Sequence, residues 1–196
     1  MKCRSYVTEN DHDRYISDHV EAEYVRKEPT LAERHADGIF DHIARLRNAT
    51  YEGQLDSMDL SQIRQTLLRG DNPASRTLHE FYNNGPQFIL FEELLERLRN
   101  LARDIEQHAI ENRNELLAET ETWTREDAYP EIDSLLSVIH TEDRRICLDA
   151  HDVAVSKGQA TELATTNPKD LVRDGHRELI LDSTALQDVV SLAVTK

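Results

Sequence analysis

The sequence is poor in cysteine, in lysine and in long apolar segments. Its two cysteines, Cys3 and Cys147, stand in a chain of 196 residues without any CxxC or Cys/His zinc spacing. This excludes a disulfide framework and a cysteine-based zinc site. No apolar run approaches the ~18 residues of a membrane span, and no signal peptide is recognisable. We therefore expect a cytoplasmic protein that makes no use of a membrane.

The charge is strongly unbalanced. Asp and Glu number 38 against 23 Lys and Arg, which gives a formal net charge of −15, and only five of the basic residues are lysine. An acidic, lysine-poor surface is typical of a protein adapted to a salt-rich cytoplasm. At low salt it argues against a broad nucleic-acid-binding face. At molar salt the Debye length falls to about 3 Å, so a local site can still engage RNA.

The C-terminal third carries the residues most typical of a site. A helix is predicted from Thr141 to Gly158, with Asp149 at the border of its apolar face and Asp152 turned further toward water. A strand is predicted over 161–166, followed by a turn that contains Asp170. Open α/β sheets place their sites at the carboxyl ends of strands. Asp149 and Asp170 could therefore share a hard cation such as Mg²⁺, although each also suits an ordinary surface or turn position.

Helical patterns dominate the rest of the chain. A helix capped by Ser17 is predicted to end at Pro29, and a capping box at Thr30 opens the next helix. The longest periodic segment starts at Phe88, and its apolar stripe favours packing within the chain over a coiled-coil dimer. After the predicted strand near Asp170, residues 177–183 are predicted as a further strand and 184–194 as a helix. The other predictions are a helix with Ile39, Phe40, Ile43 and Leu46 inside, a loop over 48–58, and helices over 60–69, 74–82 and 131–140.

Two stretches resemble a known family. DAHDVAVSKGQATELATTNPKDL, residues 149–171, resembles the C-terminal motif region of PIN-domain nucleases, including the toxin nucleases of toxin–antitoxin modules. In that family an Asp opens a D-A-x-x-x-A-like helix, and the next strand ends in T-x-N-x-x-D-F, where this chain has Leu171 for Phe. ISDHVEAEY, residues 16–24, resembles the family's I-S-x-x-V-x-x-E helix. The matching residues are Glu23, Asp149, Ala150, Ala154, Thr165 or Thr166, Asn167 and Asp170.

The resemblance implies an α/β protein in which the C-terminal third forms most of a small parallel sheet. It implies one domain over 1–196, with 30–140 as a large helical elaboration. The implied activity is metal-dependent hydrolysis of RNA phosphodiester bonds, with Mg²⁺ or Mn²⁺ as cofactor. The implied metal ligands are Glu23, Asp149 and Asp170 with Asp152 as a further acid, and Asn167 and Thr166 complete the site.

One family feature has no counterpart in this sequence. PIN nucleases begin with a strand that ends in an Asp-Thr/Ser turn, and no such strand precedes Ser17. Asp11 and Asp13 lie in a polar run and replace it poorly. Either the sequence begins downstream of that strand, or the family core has been lost. Two functions stay open: a PIN-type ribonuclease, and a PIN-like protein without catalysis that binds a protein partner or a second copy through the helix at 88–117.

Overall fold

The computed structural model describes residues 12–49, 51–67, 72–173 and 175–192, so Cys3 and Asp11 lie outside the described residues. Contacts divide the described chain into two compact units. The terminal unit comprises the described residues up to Tyr24 and those from Glu115 onward, and the middle unit is Val25–Asn114. In chain order the elements are β1 (Tyr15–Ser17), α1 (Asp18–Asn48), β2 (Gln54–Leu55), α2 (Ser57–Leu67), α3 (Ser75–Asn83), β3 (Ile89–Leu90), α4 (Phe91–Ala118), β4 (Glu121–Trp123), α5 (Pro130–Leu135), α6 (Thr141–Lys157), β5 (Glu162–Thr165), α7 (Pro168–Leu171), α8 (His176–Ser183) and β6 (Asp188–Ser191).

The terminal unit contains two parallel strand pairs. β1 pairs with β4, with Ile16 opposite Thr122, and β5 pairs with β6, with Leu163 opposite Val189. Helix α6 packs against both β1 and β5. The prediction of an α/β protein with small parallel sheets is therefore confirmed at this coarse level. The buried apolar side chains of this unit form one cluster: Leu136, Ile139, Cys147, Leu163, Leu171, Ile180, Leu186 and Val189.

The predicted helix over 141–158 and the predicted strand after it are confirmed by α6 and β5. The last two predicted elements are wrong, because residues 177–183 lie in helix α8 and the segment predicted as a helix contains strand β6. In β6 the β-branched Val189 is buried opposite Leu163 while its neighbours are more exposed, which is the alternation of a strand. In α8 only Ile180 is fully buried, so this short helix gives little periodic signal.

Helix α1 corrects the prediction of a break at Pro29, which lies inside it. Proline removes one backbone N–H and its ring crowds the carbonyl four residues earlier, which together cost about 3 kcal/mol. The helix continues because its second half is anchored by buried residues of the middle unit. The buried members are Ala36, Gly38, Ile39, His42, Ile43 and Leu46, whereas Phe40 is 44% exposed.

The middle unit has an apolar core built from α1, α2, α3 and α4 with the antiparallel pair β2–β3. Leu94 and Leu98 of α4 are fully buried in it, which confirms the preference for packing within the chain. The predicted loop at 48–58 contains β2 and the start of α2. That start is capped by Asp56, whose Oδ1 accepts hydrogen bonds from the backbone N–H groups of Met58 and Asp59 at 2.7 and 2.9 Å.

Gly38 allows a close approach of the chain to α1. Asn72 donates its Nδ2–H to the Gly38 carbonyl at 2.8 Å, and its Oδ1 accepts a hydrogen bond from the backbone of Ala74 at 2.8 Å. A Cβ atom at position 38 would overlap Asn72 Oδ1 and lie 3.1 Å from the Ala74 side chain. A side chain here would therefore force the Asn72 side chain out of these hydrogen bonds. The helices in the described part of the chain include none with the length and apolar character of a membrane span.

Candidate functional site

Helix α6 carries most of the acidic side chains of the site. Its sequence has clear signals for the start and the end of the helix. Asp143 lies in its first turn, where negative charge suits the helix dipole. Gly158 follows its last turn with a φ of 61° and donates its N–H to the carbonyl of Ala154 at 3.0 Å. This closes the helix in the left-handed manner that glycine favours. Between these ends, α6 positions Asp143, Asp149 and Asp152 within the terminal unit.

Asp149 is only 6% exposed and lies beside the end of β1. Ser17 donates its Oγ–H to Asp149 Oδ2 at 2.5 Å, and His19 Nδ1 lies 3.1 Å from the same oxygen. Arg125 Nε lies 3.3 Å from Oδ1. Both carboxylate oxygens therefore have partners within the chain. The charge of Asp149 is balanced by Arg125, whose guanidinium does not lose its proton in proteins.

Two nitrogen atoms beside Asp149, His19 Nε2 and Arg125 Nη1, are buried and have no hydrogen-bond partner among the described residues. Because Ser17 gives its proton to Asp149, its Oγ can accept a hydrogen bond from His19 Nδ1, at 2.6 Å. The Nδ1 hydrogen is then fixed, and Nε2 is the free position of the ring. A buried polar group without a partner costs about 1–3 kcal/mol. The cluster therefore holds two groups whose bonding capacity the fold leaves unused.

Asp152 is a buried hydrogen-bond acceptor, so the prediction that it turns toward water is wrong. It is 1% exposed. Its Oδ2 accepts from Trp123 Nε1 at 2.8 Å and from the backbone N–H of Glu126 at 3.4 Å, and its Oδ1 accepts from the Tyr129 hydroxyl at 2.7 Å. This last hydrogen bond, together with desolvation, raises the pKa of Tyr129 to about 12. Asp152 holds the chain after β4 against α6 and is not available as a ligand.

Asp170 meets a second carboxylate at the carboxyl end of β5. Its Oδ2 accepts a hydrogen bond from Asn167 Nδ2 at 2.7 Å, and the Asn167 side chain also bonds Asp143. Desolvation by burial, followed by the negative charge of Asp170, raises the pKa of Asp143. The backbone N–H of Asn167 is itself held by Thr165 Oγ1 at 2.9 Å. Two carboxylates on different elements are thus brought together by one amide.

The remaining predicted residues lie elsewhere. Glu23 is exposed on α1, and Thr166 is exposed after β5, where the neighbouring Thr165 holds the turn. Within the described ranges, no three His, Cys, Asp or Glu side chains are grouped so that they could hold a metal ion. The structure therefore does not bring Glu23, Asp149 and Asp170 together as one ligand set. It joins Asp170 to Asp143 instead, and Asp149 to Arg125.

These contacts determine which of the carboxylates could bind a divalent ion. Asp149 and Asp152 do not fit as ligands, because their oxygens are occupied by side-chain and backbone donors. Asp143 and Asp170 fit better, since they offer two carboxylates whose mutual repulsion a cation would relieve. Mg²⁺ in proteins is commonly held by one or two carboxylates, with water and substrate phosphate as its other ligands. Asp143 and Asp170 are therefore the residues that would hold an ion.

Cys147, the cysteine among the described residues of this unit, is not a thiol nucleophile. Desolvation by burial, followed by the charges of Asp143 and Asp149, raises the pKa of Cys147 to about 12. The thiol thus stays protonated at neutral pH, and the thiol form is a weak nucleophile. Cys147 is accordingly an apolar core residue, as its place in the buried cluster indicates.

Sequence reasoning missed Asp143, Ser17, His19 and Arg125 as members of the site. The sequence predicts Ser17 only as a helix cap. The Asp143–Asn167–Asp170 contact has a signal in hindsight, because the first turn of a helix that packs on a strand can lie beside the turn that follows that strand. Arg125 has no comparable signal. Comparison with protein-family models, with curated proteins and with solved structures finds no match for the chain.

Proposed function

We propose that the protein is a metal-dependent ribonuclease of PIN type, whose ion is held by Asp143 and Asp170 in the terminal unit. The observation that carries the proposal is the pair of carboxylates joined by the Asn167 amide at the carboxyl end of a parallel strand. Further support comes from the resemblance at residues 16–24 and 149–171. The ion is Mg²⁺ or Mn²⁺, and the substrate is an RNA phosphodiester.

The residues have distinct roles in this proposal. Asn167 bonds both Asp170 and Asp143, and Thr165 fixes the backbone of Asn167 at the end of β5. Asp149 does not bind the ion, because it positions Arg125 and His19. A divalent ion at Asp143 and Asp170 supplies charge neutralisation for the phosphate and lowers the pKa of a water molecule near it. The acidic surface is compatible with an RNA substrate only where salt screens it, since at molar salt the Debye length is only about 3 Å.

Calorimetric titration with Mn²⁺ in about 1 M KCl tests the proposal, because this ionic strength suppresses general cation attraction to the acidic surface. We expect one saturable site, and binding about tenfold or more weaker in Asp143→Asn and in Asp170→Asn, because each variant loses a charged ligand. Asp182→Asn is the matched control, since Asp182 is exposed on α8. The native protein should also cleave single-stranded RNA with Mn²⁺, and Asp170→Asn should not.

A second function, a PIN-like protein without catalysis that binds a protein partner, is favoured by one specific observation. Asp149 and Asp152, two of the four predicted ligands, are engaged within the chain. If the folded protein shows no saturable Mn²⁺ binding, or if binding is unchanged in Asp170→Asn, the ribonuclease proposal fails and this function takes its place. Sedimentation equilibrium would then test association through α4, where Ile110 is 45% exposed.

A further inference from the structure

The contact between Arg125 and Asp149 is incomplete. Nε of Arg125 lies 3.3 Å from Asp149 Oδ1, while Nη1 is buried without a partner among the described residues. Arg177 in the same unit shows the complete form, with Nε at 3.0 Å and Nη2 at 2.6 Å from Asp188 Oδ1. A guanidinium has five N–H donors in a fixed fork, so it can serve a second acceptor without leaving the first. Arg125 thus keeps unused donor capacity beside a carboxylate that is already neutralised.

His19 offers a second unused position in the same cluster. Its Nδ1 is engaged by Ser17 Oγ at 2.6 Å and by Asp149 Oδ2 at 3.1 Å, with Asp18 Oδ1 at 3.7 Å. Two carboxylates therefore face this side of the ring. When both ring nitrogens carry a hydrogen, Nε2 is a further N–H donor, and it is buried without a partner among the described residues. An acceptor that reaches both Nε2 and Arg125 Nη1 would satisfy both donors.

The location of the cluster suits a ligand. Ser17 is the last residue of β1, and Arg125 follows the end of β4 by two residues, so both lie at the carboxyl end of a parallel pair. This is the end at which parallel sheets bind ligands. The side chains of His19 and Arg125 are 14% and 20% exposed, so part of each side chain is in contact with solvent.

We infer that Arg125 and His19 form a binding site for a phosphate group, in which Arg125 Nη1 and His19 Nε2 donate to its oxygens. A tetrahedral oxyanion presents several acceptors at once, and charge-assisted hydrogen bonds from Arg are about twice as strong as neutral ones. Asp149 neither binds the phosphate nor repels it strongly, because it is paired with both donors' side chains. The inference rests on the proposed function only in taking the phosphate to be that of an RNA backbone.

The experiment titrates the metal-free protein with inorganic phosphate and follows the side-chain Nε–H signals of arginine by NMR. We expect a saturable shift of the Arg125 signal, and phosphate binding about tenfold weaker in Arg125→Gln, since one charge-assisted contact is lost. Arg144→Gln is the control, because Arg144 is a similarly covered arginine of the same unit that pairs with Asp133 at 2.7 Å. His19→Gln, which replaces the ring by a neutral amide, should weaken binding as well.

A second arm separates RNA from free phosphate. A short oligouridine should displace inorganic phosphate from the Arg125 signal if the site serves the RNA backbone, whereas a site for free phosphate would retain it. Absence of saturable phosphate binding, or equal binding by Arg125→Gln and the native protein, would overturn the inference. If Arg125→Gln does not fold, as judged by Trp123 fluorescence, Arg125→Lys and His19→Gln decide the question. Because no metal is added, loss of the Mn²⁺ site would leave this result unaffected.

Discussion

The two units differ in what they bury. The middle unit encloses a continuous apolar core, and His42 is its buried polar side chain among the described residues. The terminal unit has a smaller apolar cluster and buries Asp149, His151, Asp152 and Thr165. Burial of polar groups lowers stability unless they are hydrogen-bonded. The middle unit is therefore stabilised mainly by apolar burial. The terminal unit buries less apolar surface and holds polar and charged groups in fixed positions instead.

The largest expected effect is a loss of stability when the apolar core of the middle unit is disrupted. Leu98→Ala removes a fully buried side chain from its core, and we expect a loss of about 4 kcal/mol in the free energy of unfolding. Urea unfolding followed by far-ultraviolet circular dichroism measures this loss. Trp123, the single tryptophan of the chain, lies in the terminal unit and reports that unit by fluorescence. Coincident shifts of the two signals would show that the units unfold as one system, which would weaken the comparison.

The buried histidine of the middle unit gives the next effect. Desolvation by burial, followed by the charge of Arg45, lowers the pKa of His42 to about 4 from its usual 6.5. Between pH 6.5 and about 4, His42 therefore carries a proton in the unfolded chain but not in the folded chain. Stability from this group is present above pH 6.5 and is lost as the pH falls toward 4, by about 3 kcal/mol in all.

Urea midpoints measured between pH 7 and 4 check this expectation. His42→Gln removes the titrating group while it can keep a hydrogen bond to the Tyr82 hydroxyl, which lies 2.7 Å from His42 Nε2. The slope of stability with pH should be smaller in this variant, even if its stability at pH 7 is lower. If the slope of stability with pH is the same in His42→Gln and in the native protein, other groups cause the acid sensitivity. His42 would then not distinguish the two units.

The smallest of these effects concerns the terminal unit. Asp152→Asn keeps the shape of the side chain but replaces one acceptor oxygen by an NH₂ group, which faces donors from Trp123 or Tyr129. We expect a loss of about 2 kcal/mol, because one buried donor is left without an acceptor. The Trp123 fluorescence transition in urea measures it, and Asp182→Asn is the exposed control. A change below about 0.5 kcal/mol would mean that the buried network contributes little to stability.

The fold could be predicted where the local signals agree. Helix α6 has acidic residues at its start and glycine after its end, and β5 alternates between buried and exposed side chains. The final strand and helix were exchanged because α8 and β6 are short, and eight or four residues give little periodicity to measure. The predicted break at Pro29 failed for a different reason. Burial of the second half of α1 outweighs the lost hydrogen bond and the steric crowding that proline introduces.

The candidate site could be predicted only in part, since its contacts join distant positions. Asp149 and Asp170 were identified from their motifs, but their partners were not. Ser17 reaches Asp149 across 132 residues of sequence. Nothing local to Arg125 indicates that its side chain meets a carboxylate on α6. For Asp152 the prediction itself was wrong. Helical spacing predicted that its side chain faces water, but the chain after β4 covers it.

The contact at Gly38 has a consequence for the way this chain can vary. A single added methyl group there would displace the Asn72 side chain, and with it the hydrogen bonds to the Gly38 carbonyl and to the Ala74 backbone just before α3. Replacement at position 38 should therefore cost these hydrogen bonds, although the residue there has no side chain and no chemistry of its own. In a survey of random variants, intolerance at this position would report on the shape of the backbone and would carry no information about RNA, phosphate or metal.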